Sequence, residues 1–133
     1  MAAPVPTINT FTLRGRTCVT WRALFTAGAP DNFADSVVVD LSTLTGFTTA
    51  LRVLSIVICG SPGVAADVEL DAATDVLIAS LALGSTFMEI DFRDHPQGGP
   101  TAPSSATGDL LVTTRSSADG DELFIYVVCD SVA

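Results

Sequence analysis

Three groups of carboxylates are the first candidates for chemistry. Asp119, Asp121 and Glu122 crowd around Gly120 in "SSADGDELFIYVV"; Asp67, Glu69 and Asp71 are spaced i, i+2, i+4; Glu89 and Asp91 are spaced i, i+2. On a strand, i and i+2 residues share a face, so either of the last two rows could bind calcium or supply the paired acids of glycoside chemistry. The competing reading is the solvated outer face of an alternating strand, which the surrounding apolar positions favour. Around Gly120 the spacing of oxygens is not that of a calcium loop, which needs ligands at five or six positions and a distant glutamate. The stretch reads instead as a turn with Gly120 at positive φ, a hairpin between "GDLLVTT" and "ELFIYVV".

Other nucleophile and base patterns are missing from the sequence. His95 is the one histidine, next to a proline and without a neighbouring Ser, Cys or carboxylate pair, and is expected to be solvated. There is no Gly-x-Ser-x-Gly elbow, no lysine for a Walker loop, no GxGxxG fingerprint and no Cys-His zinc spacing. The chain is therefore expected to be non-enzymatic, with no catalytic residues, metal or cofactor. Cys18, Cys59 and Cys129 each sit in an apolar run and are expected as buried thiols, with a disulfide, such as Cys18 to Cys129, left open. Trp21, Phe124 and Tyr126 could together form a sugar-binding platform, but core packing is the expected use of such rings in a sandwich.

The elements that hold these residues read as strands. The 133 residues suffice for one domain with a core. Short apolar runs separated by turn residues mark an all-β, antiparallel β-sandwich or jelly-roll-like domain of about eight strands over residues 11–133. "FTLRGRTCVTWRALF" predicts two strands around Arg14–Gly15–Arg16, the second with Val19, Trp21, Ala23 and Phe25 on one face. "VAADVEL" alternates, with Val64, Ala66, Val68 and Leu70 inward. "DAATDVLIASLALG" fits a helix capped by Asp71 no better than a buried strand over Val76–Leu83, and strand is preferred. "DHPQGGPTAPSSATG", residues 94–108, predicts a long loop, and residues 1–10, with two prolines, an extended N-terminal arm. The final strand is unusual: Glu122, Phe124, Tyr126 and Val128 alternate with Leu123, Ile125, Val127 and Cys129, so both faces are largely apolar. Such a strand is either central and covered on both sides or buried by another chain.

Charge narrows the partners. Fifteen acidic residues face six basic ones, all arginine, for a net charge of −9. That balance predicts no nucleic acid and no anionic membrane as partner. No run of apolar residues reaches membrane-helix length, and "MAAPVPTINT" lacks the basic and apolar regions of a secretory signal.

The order of segments "VVVDLSTL", "LRVLSIVICGSPGVAADVEL", "DAATDVLIASL", "MEIDFRDHPQGGP" and "TGDLLVTTRSSADGDELFIYVV" resembles a family of small virion proteins of tailed bacteriophages, the capsid decoration or cement proteins. The resemblance covers roughly Val37 to Val128. It implies a protein made in the host cytoplasm and carried on the capsid surface of the virion, bound to the major capsid protein and to itself as a homotrimer. It also implies that apolar surface and arms form the contacts, which makes Pro4, Pro6 and Ile8 of the arm and Phe124 and Tyr126 of the last strand the interface candidates. A lectin-like carbohydrate- or receptor-binding module of a virion or bacterial surface is the alternative.

Overall fold

A computed structural model describes residues 5–25, 33–40, 43–44, 50–71, 76–84, 87–92, 109–115 and 120–132. Among these residues the chain forms nine strands: β1 Thr7–Leu13, β2 Arg16–Leu24, β3 Ser36–Val39, β4 Ala50–Gly60, β5 Ala65–Leu70, β6 Val76–Ala82, β7 Met88–Asp91, β8 Leu110–Arg115 and β9 Glu122–Val132. They build two antiparallel sheets, ordered β1-β2-β9-β4-β7 and β3-β8-β5-β6. Without β1, the orders β2-β9-β4-β7 and β3-β8-β5-β6 are those of an eight-stranded jelly roll. The expected sandwich is thus present, with one strand added to its first sheet.

Alternation puts one row of each strand into the space between the sheets. Val19, Trp21, Ala23 and Phe25 of the β2 segment are all buried, as are Val64, Ala66, Val68 and Leu70 around β5. From β9 come Leu123, Ile125, Val127 and Cys129, and from β8 Leu110 and Val112. Phe33 joins them from the segment before β3: its N–H donates to Thr114 Oγ1 (2.8 Å) and its carbonyl accepts from Thr114 N (2.9 Å). Its ring meets Trp21 edge-on at 5.0 Å and Phe25 at 5.6 Å. Trp21 is therefore a core residue, fully buried. Burial of this kind contributes about 1.5–3 kcal/mol per large apolar side chain.

The segment Val76–Ala82 is a strand, paired with β5 in the second sheet. A bulge at Ile78, where the register slips between Val68 and Glu69, lets both Ile78 and Leu81 pack against the core. This is why the segment looks apolar on more than one face.

Two expectations change. Residues 7–10, expected as part of the arm, belong to β1 instead: Thr7 to Leu13 pair with β2 in unbroken register from Thr7 opposite Arg22 to Leu13 opposite Arg16. "TINTFTL" has no proline after Pro6 and three β-branched threonines, so nothing stops the ladder from running back that far. The turn joining β1 to β2 is the two residues Arg14 (φ 52°) and Gly15 (φ 76°), the double positive φ of a type I′ hairpin.

The second change concerns "SSADGDELFIYVV". Gly120 does have positive φ (88°), but β8 and β9 are not a hairpin. They lie in opposite sheets. Both strands carry an apolar inner row, and facing across the core buries both rows, as side-by-side pairing alone could not. Around Gly120 the chain pairs instead with the end of β2: Gly120 N donates to Phe25 O (2.6 Å) and Phe25 N to Asp121 O (2.8 Å). Asp119, His95 and the loop of residues 94–108 lie outside the described residues, as does Pro4.

Candidate functional site

The outer face of the five-stranded sheet collects the residues of interest. Strand register sets its cross-strand rows. Phe11, Cys18, Val128, Ser55 and Asp91 form one; Thr20, Tyr126, Val57 and Glu89 a second; Arg22, Phe124 and Cys59 a third. β9, in the middle, has its inner row fully buried, while Phe124, Tyr126 and Val128 on the outer row are only half-buried. Among the described residues no further layer packs over this row, so β9 is central within its sheet but covered by a second sheet on one side only.

Several contacts organise the face. The Phe11 ring lies beside Tyr126 with centroids 6.3 Å apart and planes 26° from parallel. Hydrogen bonding to Cys18 first, then partial burial and the charge of Cys18, raise the Tyr126 phenol above its ordinary pKa. Cys18 is buried although it points to the outer side. Leu13, Arg14 and Arg16 from the hairpin and Glu89 from β7 wall an open groove of about 420 Å³ floored by Tyr126, Val57 and Val128. At the rims, Arg16 pairs with Asp130 (3.6 Å) and Arg22 with Glu122 (3.1 Å). These rim pairs are exposed and add little to stability.

The sequence candidates are divided by the sheet. Phe124 and Tyr126 share the outer face, but Trp21 is on the other side, so the three-ring platform does not exist; Phe11 supplies the ring beside Tyr126 instead. Phe11 was not legible as a partner because only the pairing of β1 with β2 brings it there. Ile8 points to the inner side of the hairpin, opposite Trp21 in register, and lines a separate apolar groove of about 280 Å³ with Val37, Val38 and Leu44. Pro6 is half-buried just before β1, and Val5 is 92% exposed.

The carboxylate rows have local partners. Asp67 accepts hydrogen bonds from Ser80 Oγ and from Arg115 on the outer face of the second sheet. The Ser80 bond first, then the bond and charge of Arg115, hold its carboxyl below the usual range, against the raising effect of partial burial. Glu69 follows on the same face, opposite Leu111, while Asp71 lies past the strand end, its N–H donating to Asp109 O (2.9 Å). Glu89 and Asp91 face outward on the edge strand β7. Among the described residues no three of His, Cys, Asp and Glu converge as metal ligands would.

The three thiols are free. Cys129 is pushed up to about 12 by burial, then by the charges of Cys18 and Asp130, and its Sγ donates to Thr17 O at 3.5 Å. Cys59, half-buried on the outer face, borders a groove with Phe124 and Arg22.

No protein-family model and no curated protein matches the chain. Among solved structures, one described as "CBM4 structure and function" aligns over 93% of this chain and 85% of that one, at 14% identity and a TM-score of 0.30. A likeness at that level carries no argument here, and the sandwich assignment rests on the strand order itself.

Proposed function

We propose that this protein is a non-enzymatic structural protein of a tailed-phage virion, a capsid decoration or cement protein. It binds the outer shell and bridges major capsid protein subunits, as a homotrimer. The observation that carries this reading is the apolar outer face of the five-stranded sheet. Phe124, Tyr126, Val128, Val57 and Cys59 occupy positions that a sheet facing water gives to polar residues. A protein that holds a shell together needs surface that is buried on assembly, and an interface of about 800 Å² per partner is a common size for a specific contact. The order of turns and strands from Val37 to Val128, and the acidic balance of −9, which suits docking to a basic surface, support the same reading. The jelly-roll fold agrees with it but serves many functions and adds no specificity. The test is co-sedimentation of the purified chain with its own capsids, comparing wild type with Phe124→Asp and Tyr126→Asp. Binding by wild type and its loss in both folded variants is expected; no binding by wild type refutes the reading.

A second reading has one observation in its favour. Tyr126, stacked beside the Phe11 ring, lines a groove that also offers Arg14, Arg16 and Glu89, the mixture of aromatic surface and polar groups that suits a sugar. Under it, glycan binding should be detectable by array or calorimetry and lost on Tyr126→Ala. No glycan binding across such an array leaves the decoration reading alone.

A further inference from the structure

Among the described residues the two sheets of the sandwich have four edge strands, and three carry devices that limit what can pair with them: interruption in β3 and β6, and in β7 acidic charge, which refuses a like edge and admits a basic one. β3 is four residues long with a register shift between Val37 and Val39. β6 is bulged at Ile78. β7 is four residues long and carries Glu89 and Asp91. β1 has none of these: seven residues, no charge, no proline, and regular register along its whole length. Every residue of it is exposed, including Ile8, Phe11 and Leu13. A long, straight, uncharged edge is a template for another strand, and natural proteins leave one open where it is to be covered.

Charge identifies the cover. Residues 5–25 contain Arg14, Arg16 and Arg22 and no acidic residue, so all 15 acids and the other three arginines lie elsewhere in the chain. The hairpin is thus a basic element on a body whose balance is 3 − 15 = −12. A second copy of the same chain is an acidic partner always present at equal concentration. Its complementary edge is β7, at the far side of the same sheet, where Glu89 and Asp91 sit beside exposed Phe87 (64%) and Met88.

We infer that copies of this protein join edge to edge, β1 of one against β7 of the next, with the basic hairpin turn against the acidic β7. This rests on the self-association proposed above and gives it a route. Each strand of the sheet is antiparallel to its neighbour, and three strands separate β1 from β7, so the two edges run in the same direction. Around an axis along the strands they therefore meet as a parallel pair. Such a contact uses two different surfaces, and heterologous contacts close into rings when the rotation allows. The ring would carry the apolar outer faces of its sheets as one continuous band.

Light scattering on the full chain in free solution tests this. Arg14→Glu with Arg16→Glu, and separately Glu89→Arg with Asp91→Arg, should each weaken association by about tenfold or more, because like charges then face one another. The chain carrying all four substitutions should recover the wild-type mass, since the charges are exchanged rather than removed. A wild type that stays monomeric, or charge-reversed chains that keep the wild-type mass, overturns the inference. Thr10→Lys on β1 provides a second variant outside the charged cluster and should also reduce the mass, with circular dichroism confirming the fold. Capsid co-sedimentation of the same chains is read separately: its failure for wild type refutes shell binding without bearing on association in free solution.

Discussion

Cys18 and Cys129 are one register step apart on adjacent strands, yet their side chains leave opposite faces of the sheet. Cys18 lies opposite Val128 and Thr17 opposite Cys129, so Cys18 points outward and Cys129 into the core. The bridge left open by the sequence is excluded by this parity, since a disulfide needs Cβ atoms about 3.5–4.5 Å apart and directed at each other.

Thiol labelling follows from the same arrangement. Cys59 is half-buried, whereas Cys18 and Cys129 are buried, so one thiol per native chain should react rapidly with a disulfide reagent and three after unfolding. Cys129 has a folded pKa of about 12 against an ordinary value of 9.0. Its neutral form is favoured in the fold, a contribution fully present below the unfolded pKa and lost as pH rises towards the folded one. Stability should therefore fall above about pH 9 in the wild type, and less so in Cys129→Ala. Fast labelling of all three native thiols contradicts the packing.

Trp21 reports on the core. It is fully buried against Phe33, so its fluorescence should be blue-shifted, poorly quenched by acrylamide and insensitive to added sugars. Trp21→Ala should cost about 3–5 kcal/mol in denaturant unfolding. Emission at the wavelength of solvated indole contradicts the placement.

Much of this was legible in residue alternation. Val64–Leu70 and Val19–Phe25 show their inner faces directly, because the period of two is a property of each strand alone. Pairing is a property of two strands, and local pattern does not encode it. "GDLLVTT" and "ELFIYVV" alternate alike whether they are neighbours or face each other across a core. The same gap hid Phe11 beside Tyr126 and left the Cys18–Cys129 bridge open. The apolar outer row of β9 was visible as a surplus, but the second and third rows that extend it across β4 required the register.

Gly60 is a position where the fold needs the absence of a side chain. A Cβ there meets Leu83 Cδ1 at 2.8 Å and the Glu122 carbonyl oxygen at 2.9 Å. The carbonyl is fixed by the bond it accepts from Ser61 N (3.0 Å), while Glu122 N donates to Ser61 Oγ (2.9 Å). Gly60→Ala should destabilise by about 1–3 kcal/mol, measured by chemical denaturation. An unchanged midpoint contradicts the close approach.

Asp67 makes stability depend on acid. Its folded pKa lies below the unfolded value near 3.8, so the carboxylate contributes above that value and the contribution is lost as pH falls through the folded pKa. Asp67→Asn should cost about 1 kcal/mol at neutral pH, and the two stability curves should converge below about pH 4. A gap that persists into strong acid assigns the loss to packing instead.

The proposal that the capsid covers the outer face of the five-stranded sheet has one decisive measurement. A cryo-EM map of the native particle, with the domain fitted into density outside the shell, tests it most directly. Phe124, Tyr126 and Val57 are expected against shell protein, with β1 and β7 of neighbouring copies in contact. The claim is contradicted by a particle without this density, or by one in which that face is turned to solvent.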